Sequence, residues 1–274
     1  MKTQKNLSIG GIGLAAGALA CVGLMSAGVP VSQAATYYTP DFSGPLTLSN
    51  TAGPGVWYTD RYAPAGFSTS GGILSETVDP SGPVGTSQDI QGRDYNINLS
   101  GNVQTASIEL YLQPSWSTTA TGSSTDVAAG FWGAGSYMDN NSPTISAYPI
   151  ISFINDPGYY NSASPGFYTW NYETGTYSAT TAPVNYGGWN TLSYTLTVGQ
   201  GTEYYVNGVD VGGVTDATTT SLSAVLLEVK NYGTQYTAQW AAVTPVPASF
   251  GLVGVGSLAL IGGLALRRRM AKFH

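Results

Sequence analysis

The chain has 274 residues, of which 9% are charged and 12% aromatic, and its formal net charge is −6. All fifteen acids lie between Asp41 and Glu228, and Arg61, Arg93 and Lys230 are the sole basic residues of the middle segment 36–243, which therefore carries −12. Such a segment repels nucleic acid and anionic membrane surfaces. With Cys21 and His274 as the one cysteine and one histidine, it also holds no disulfide, no Ser-His-Asp or Cys-His nucleophile and no thiolate or imidazole metal site.

At the N-terminus, Lys2 and Lys5 precede an apolar, Gly- and Ala-rich stretch from Leu7 to Val29. Ser32 and Ala34 then offer small residues at −3 and −1 of a cleavage point. This order predicts a secretory signal peptide over residues 1–34, removed by signal peptidase. Ala18-Leu19-Ala20-Cys21 faintly resembles a lipoprotein box, but here the apolar stretch runs on past the cysteine.

Residues 36–243 show almost no helical periodicity, whereas period-two alternation recurs. In "TASIELYLQP", Ala106, Ile108, Leu110 and Leu112 share one face, with Ser107, Glu109, Tyr111 and Gln113 on the other. Apolar runs follow at Val127 to Trp132 and at Ile150 to Ile154. In "WNTLSYTLTVG", Leu192, Tyr194, Leu196 and Val198 alternate with polar residues, and "AVLLEVKNYG" aligns Val225, Leu227 and Val229. Turn clusters such as Gly53-Pro54-Gly55 and Asp79-Pro80-Ser81-Gly82 separate these runs. Many short strands with frequent turns and no central linker predict one all-β domain, a single antiparallel two-sheet sandwich.

The stretch Gly188 to Gly213, "GWNTLSYTLTVGQGTEYYVNGVDVGG", opens a strand on a tryptophan. It turns at Gly199-Gln200-Gly201 and again at Asn207-Gly208, the latter suited to a type I′ turn. The stretch resembles the concanavalin A-like, laminin-G-like jelly roll, in which "LEVKNYGTQYTAQWAAV" would form a returning strand pair. Some jelly rolls of this type are glycosidases, which need two carboxylates flanking the sugar bond. The Glu-x-Asp-x-Glu pattern of related glucanases is missing, because Glu109 is followed on its face by Tyr111 and Gln113. Carboxylates on separate strands, Glu109 and Glu228, are the remaining catalytic candidates. The leading expectation is therefore a non-catalytic binding or structural module with no cofactor, its partner an extracellular polysaccharide. The alternative is a glycan-active hydrolase or lyase.

Calcium is the one ion that suits the available donors, and Asp139, Asn141 and Asp156 in oxygen-rich loops are its weak candidates. Ordinary turn chemistry accounts for the same residues. Aromatic clusters at Trp57-Tyr58, Phe131-Trp132, Tyr159-Tyr160 and Phe167 to Trp170 are expected mainly to fill the core, with some tyrosines left for a binding face.

The C-terminus places Pro245-Val246-Pro247-Ala248-Ser249 before the uncharged run 250–266, and Arg267, Arg268 and Arg269 open a basic tail over 267–274. As a helix the run spans roughly 26 Å, near the lower limit for crossing a bilayer, and the arginines would stay cytoplasmic. The tripartite order over residues 244–274 resembles a PEP-CTERM sorting signal, with Val246 where glutamate is common. The resemblance implies a bacterial protein that is exported and transiently membrane-anchored. It would be processed by an exosortase and passed to the cell surface or extracellular matrix. A simple C-terminal anchor is the other reading of the same run. Intact mass of the surface protein is expected to lack residues 1–34 and the arginine tail; a mature form retaining Arg267 to Arg269 would leave the simple anchor.

Overall fold

The computed structural model describes residues 35–59, 61–85, 89–122, 124–140, 142–156, 158 and 164–244. Both terminal segments fall outside these residues. So do the signal-peptide positions Ser32 and Ala34, the motif Pro245 to Ser249 and the arginines 267–269. Among the described residues no helix is long and apolar enough to cross a membrane.

The described residues form seventeen strands. They begin with β1 (Thr36–Tyr38), β2 (Leu48–Ser49), β3 (Trp57–Thr59), β4 (Gly66–Ser70), β5 (Ile73–Thr77) and β6 (Ile90–Asn96). The middle of the chain adds β7 (Val103–Leu112), β8 (Ala128–Asp139), β9 (Ser142–Ala147), β10 (Ile150–Ile154), β11 (Gly166–Asn171) and β12 (Thr176–Ala179). Last come β13 (Gly188–Thr197), β14 (Gly201–Val206), β15 (Val209–Thr215), β16 (Ser221–Lys230) and β17 (Thr237–Ala241). A single 3-10 turn, Pro114–Ser117, buries Trp116.

Two sheets result. The first runs β15-β14-β13-β7-β17-β5-β4, with β1 added in parallel to β7. The second runs β12-β11-β10-β8-β16-β6-β3-β2, with β9 on the far end of β8. Their inward faces share one core, in which Ile108, Leu110, Leu192 and Tyr194 of the first sheet meet Phe131, Ile151, Val225 and Leu227 of the second. The expected alternation over residues 106–112 and 192–196 is the inward set observed. Asn207 and Gly208, at φ 52° and 75°, make the tight turn between β14 and β15.

The expected strand pair at the chain end does not form. β16 lies between β6 and β8 in the second sheet, and β17 between β5 and β7 in the first. The connection crosses the sandwich edge because side chains hold it there. Asn231 Nδ2 donates to the carbonyls of Gly82 and Pro83, each at 3.1 Å. The Tyr236 hydroxyl lies 2.7 Å from the carbonyl oxygens of both Ala128 and Lys230 and donates its one proton between them.

Two tyrosine hydroxyls span the core. Tyr194 on β13 donates to the Trp132 carbonyl at 3.0 Å, and Tyr204 on β14 to the Trp170 carbonyl at 2.8 Å. Burial pushes both phenols well above their usual range, so they remain donors. Gly133 makes room for the first, since a Cβ there would sit 2.5 Å from the Tyr194 oxygen.

One polar cluster is buried between the sheets. Glu76 on β5 is fully buried and accepts a hydrogen bond from Trp240 Nε1 at 2.9 Å. Arg93 on β6 lies with its guanidinium 5.8 Å from the Phe67 ring, and its Nη1 donates to the carbonyls of Ser49 and Trp57 at 3.0 and 3.3 Å. Burial pushes Glu76 up to about 8, although the Trp240 bond and the Arg93 charge oppose it. Folded Glu76 therefore keeps a proton that the unfolded chain has lost, in the window between about 4.5 and about 8. Stability is expected to fall as pH rises through that window, by on the order of a few kcal/mol. Glu76→Gln keeps an acceptor for Trp240 and should flatten the decline, so the variant melts above the parent at pH 8 and near it at pH 4.5. Parallel melting curves across this range would show that Glu76 does not titrate in the window.

Candidate functional site

The pleat of the second sheet sends alternate residues to its outer face, where the register lines them up in rows. One row reads Asp94, Leu226, Trp132, Ile150, Trp170 and Tyr177 across β6, β16, β8, β10, β11 and β12. The next reads Gly92, Glu228, Gly130, Ser152, Tyr168 and Ala179. The first row is bulky, and the second is small around Glu228.

The bulky row walls a pocket of about 270 Å3, lined by Arg61, Trp132, Tyr148, Ile150, Trp170 and Tyr177. Trp170 and Tyr177 lie with ring centroids 4.9 Å apart at 51°, and the Arg61 guanidinium sits 5.4 Å from the Trp132 ring centre. Tyr194 and Tyr204 hold the backbone of the two tryptophans from below. Two larger hollows, of about 370 Å3 over β14 and β15 and about 420 Å3 between Phe42 and Gly71, are lined mostly by Gly, Ser, Thr and backbone. The 270 Å3 pocket has four aromatic side chains and a cation, the composition of a small-ligand site.

On the small row the Trp132 indole lies back across Gly130. A Cβ at Gly130 would fall 2.4 Å from Trp132 Nε1 and 2.6 Å from Ser152 Oγ. Gly92 permits a close approach of the same kind, since a Cβ there would fall 2.1 Å from the Leu227 carbonyl oxygen and 2.5 Å from Glu228 Oε2. Beside the pocket lies a notch of about 10 Å3, with Gly130, Trp132, Ser152, Glu228 and Lys230 in its lining. Glu228 is 3% exposed and Asp94 7%. Lys230 forms a salt bridge with Asp89, and its ammonium stands 5.2 Å from the Tyr232 ring.

The two carboxylates singled out from the sequence are not brought together. Glu109 on β7 points to the outer face of the first sheet, opposite Thr191 and Ala241, where partial burial raises its pKa. Glu228 points to the outer face of the second sheet, and the acid diagonal to it on β6 is Asp94. Of the calcium candidates, Asp139 accepts from Asn140 Nδ2 at 3.0 Å, and Asp156 accepts from the Gly158 amide at 2.7 Å. Both are turn contacts; Asn141 lies outside the described residues. Asp126, near Asp156, has its pKa raised by burial and then by that charge. Among the described residues no three potential metal-ligating side chains converge.

Arg61 and Asp94 were not singled out from the sequence, whereas Trp132 and Trp170 belong to aromatic clusters that were expected mainly to fill the core and instead lie on the outer face. For the tryptophans a signal existed. In Phe131-Trp132 only one ring can face the core, and Phe131 takes that place. In Phe167 to Trp170 the same alternation puts Phe167 inside and Trp170 outside. Three of the six tryptophans, Trp57, Trp116 and Trp240, are core residues, half of the set where most were expected.

No family model matches the chain, and no curated protein matches it in sequence. Several solved structures are similar in shape. A sialidase is 13% identical with a TM-score of 0.41; the match covers 69% of this chain, which spans only 16% of the sialidase. The alginate lyase AlyC3 in complex with dimannuronate is 15% identical with a TM-score of 0.42, over 62% of this chain and 71% of the lyase. A Bacillus licheniformis β-glucanase is 11% identical with a TM-score of 0.38, over 76% and 98%. The two-sheet sandwich stands on the chain's own strand register, independently of these likenesses.

Proposed function

We propose that this chain is an exported bacterial protein whose sandwich, a concanavalin A-like jelly roll, binds extracellular polysaccharide without transforming it. The supporting observation is the pocket walled by Trp132, Tyr148, Trp170 and Tyr177 on the outer face of the second sheet. Aromatic rings offer flat apolar area to the C–H faces of a sugar, while Arg61 and the neighbouring carboxylates offer hydrogen bonds to its hydroxyls. The −12 of the domain favours neutral chains over strongly anionic ones. The jelly-roll reading is supported by the strand order, in which the last two strands insert between earlier pairs in opposite sheets. Signal peptidase and an exosortase would deliver the domain to the surface or matrix through the transient C-terminal anchor, and no metal is assigned to it.

The test is binding of the full-length protein to cellulose, laminarin, xylan, agarose and alginate, with and without calcium. At least one neutral polysaccharide is expected to bind, and Trp170→Ala to weaken it by about tenfold or more. Absence of binding to every polymer would overturn the reading.

A second reading, hydrolase or lyase, is favoured by one observation. Glu228 and Asp94 are diagonal neighbours on adjacent strands, a relation that sets Cβ atoms roughly 7–8 Å apart. That is compatible with the about 5–9 Å between carboxyl groups in glycosidases. Released reducing ends or unsaturated products that disappear in Glu228→Gln would establish catalysis. Unchanged polymer with retained binding would support the non-catalytic module.

A further inference from the structure

The notch beside the aromatic pocket has a chemistry of its own. Its volume, about 10 Å3, is that of a single oxygen-sized occupant. The Trp132 Nε1–H that borders it is buried and has no hydrogen-bond partner among the described residues. Leaving such a donor unpaired is costly, so the site is built for an acceptor. Ser152, 4% exposed, brings its hydroxyl to the same space, since both atoms lie within 2.6 Å of the position a Gly130 Cβ would take. Glu228 lies on the other side of Gly130 in the same row and lines the notch as an acceptor. An occupant must therefore accept from an indole N–H, and a carboxylate and a serine oxygen line the same notch to accept a hydrogen bond from it. A hydroxyl group does both, and so does water.

We propose that the notch seats one hydroxyl oxygen of the saccharide held in the aromatic pocket, accepting from Trp132 Nε1 and donating to Glu228, with Ser152 as the third partner. This rests on the saccharide-cleft reading and deepens it: the pocket supplies stacking area, and the notch reads a hydroxyl. Gly130 is a specificity position because any side chain there would collide with Trp132 Nε1 and Ser152 Oγ and displace the groups that form the seat.

The test measures affinity of the full-length protein for cellohexaose, laminarihexaose and xylohexaose, together with thermal stability, for the parent and for Trp170→Ala, Ser152→Ala and Gly130→Ala. Ser152→Ala is expected to weaken the best-bound hexasaccharide by about tenfold with melting unchanged, the loss of one buried hydrogen bond. Gly130→Ala should weaken it at least as much; if that variant does not fold, Ser152→Ala alone decides. The Trp132 indole N–H resonance of the parent should move downfield as the hexasaccharide is added. If Trp170→Ala abolishes binding while Ser152→Ala leaves affinity unchanged, the cleft stands and the hydroxyl seat is overturned. If Ser152→Ala lowers the melting temperature with affinity unchanged, the notch holds a structural water and the proposal is overturned. If no hexasaccharide binds the parent, the seat and the cleft fall together.

Discussion

The hydroxyls of Tyr194 and Tyr204 cross the full thickness of the sandwich to reach the carbonyls of Trp132 and Trp170. A chain without disulfides in its middle depends on such bridges to fix one sheet against the other, since apolar packing is not directional. A hydroxyl that must meet one particular carbonyl sets the lateral position of the sheets, and it is costly to leave unmade once buried. Both bridges end beneath the tryptophans that wall the pocket. The first sheet thus contributes no side chain to the pocket lining, yet it locates the strands that do.

The same separation of faces organises the charges. Of the three cations in the acidic segment, Arg93 is turned into the core, Lys230 pairs with Asp89, and Arg61 lies at the pocket over Trp132. Glu76 resolves its own burial by holding a proton rather than a charge, with Trp240 as its donor. Of the buried acids on the outer face, Asp94 and Glu228, the second lines the notch beside Trp132. Asp41, Asp139, Glu173, Glu203 and Asp210 are exposed, where hydration makes their charge inexpensive.

Much of this is legible in the alternation of the sequence. The inward sets around Ile108, Tyr194 and Leu227 follow from period two, because one face of each strand must avoid water. What alternation cannot say is which strand lies beside which. Asp94 and Glu228 are far apart in the chain, and their adjacency arises because β16 inserts between β6 and β8. The same insertion separates β16 from β17 and removes the strand pair expected at the chain end. Glu109 and Glu228 look equivalent in sequence, each an isolated acid in a strand. They differ because their strands belong to opposite sheets and their side chains point away from each other. The pairing of Phe131 with Trp132 carries real information about the pocket, but only when the pleat is read as two faces rather than one.

The alternation of bulky and small rows gives the site two scales. A pocket of about 270 Å3 can gain contact area from any flat apolar surface, and stacking of that kind discriminates poorly between sugars. A notch of about 10 Å3 contributes almost no area, but it borders the buried Trp132 N–H, which has no hydrogen-bond partner among the described residues. Sites built to bond a hydroxyl reject analogues that lack it far more strongly than sites that only pack against a ring, because the empty seat leaves buried polar atoms unpaired. On the proposed saccharide reading, affinity and selectivity fall to neighbouring rows of one sheet. The boundary between them is the Trp132 indole, whose face borders the pocket and whose nitrogen borders the notch. A substitution that keeps the ring but removes the nitrogen acts on the second function and spares the first.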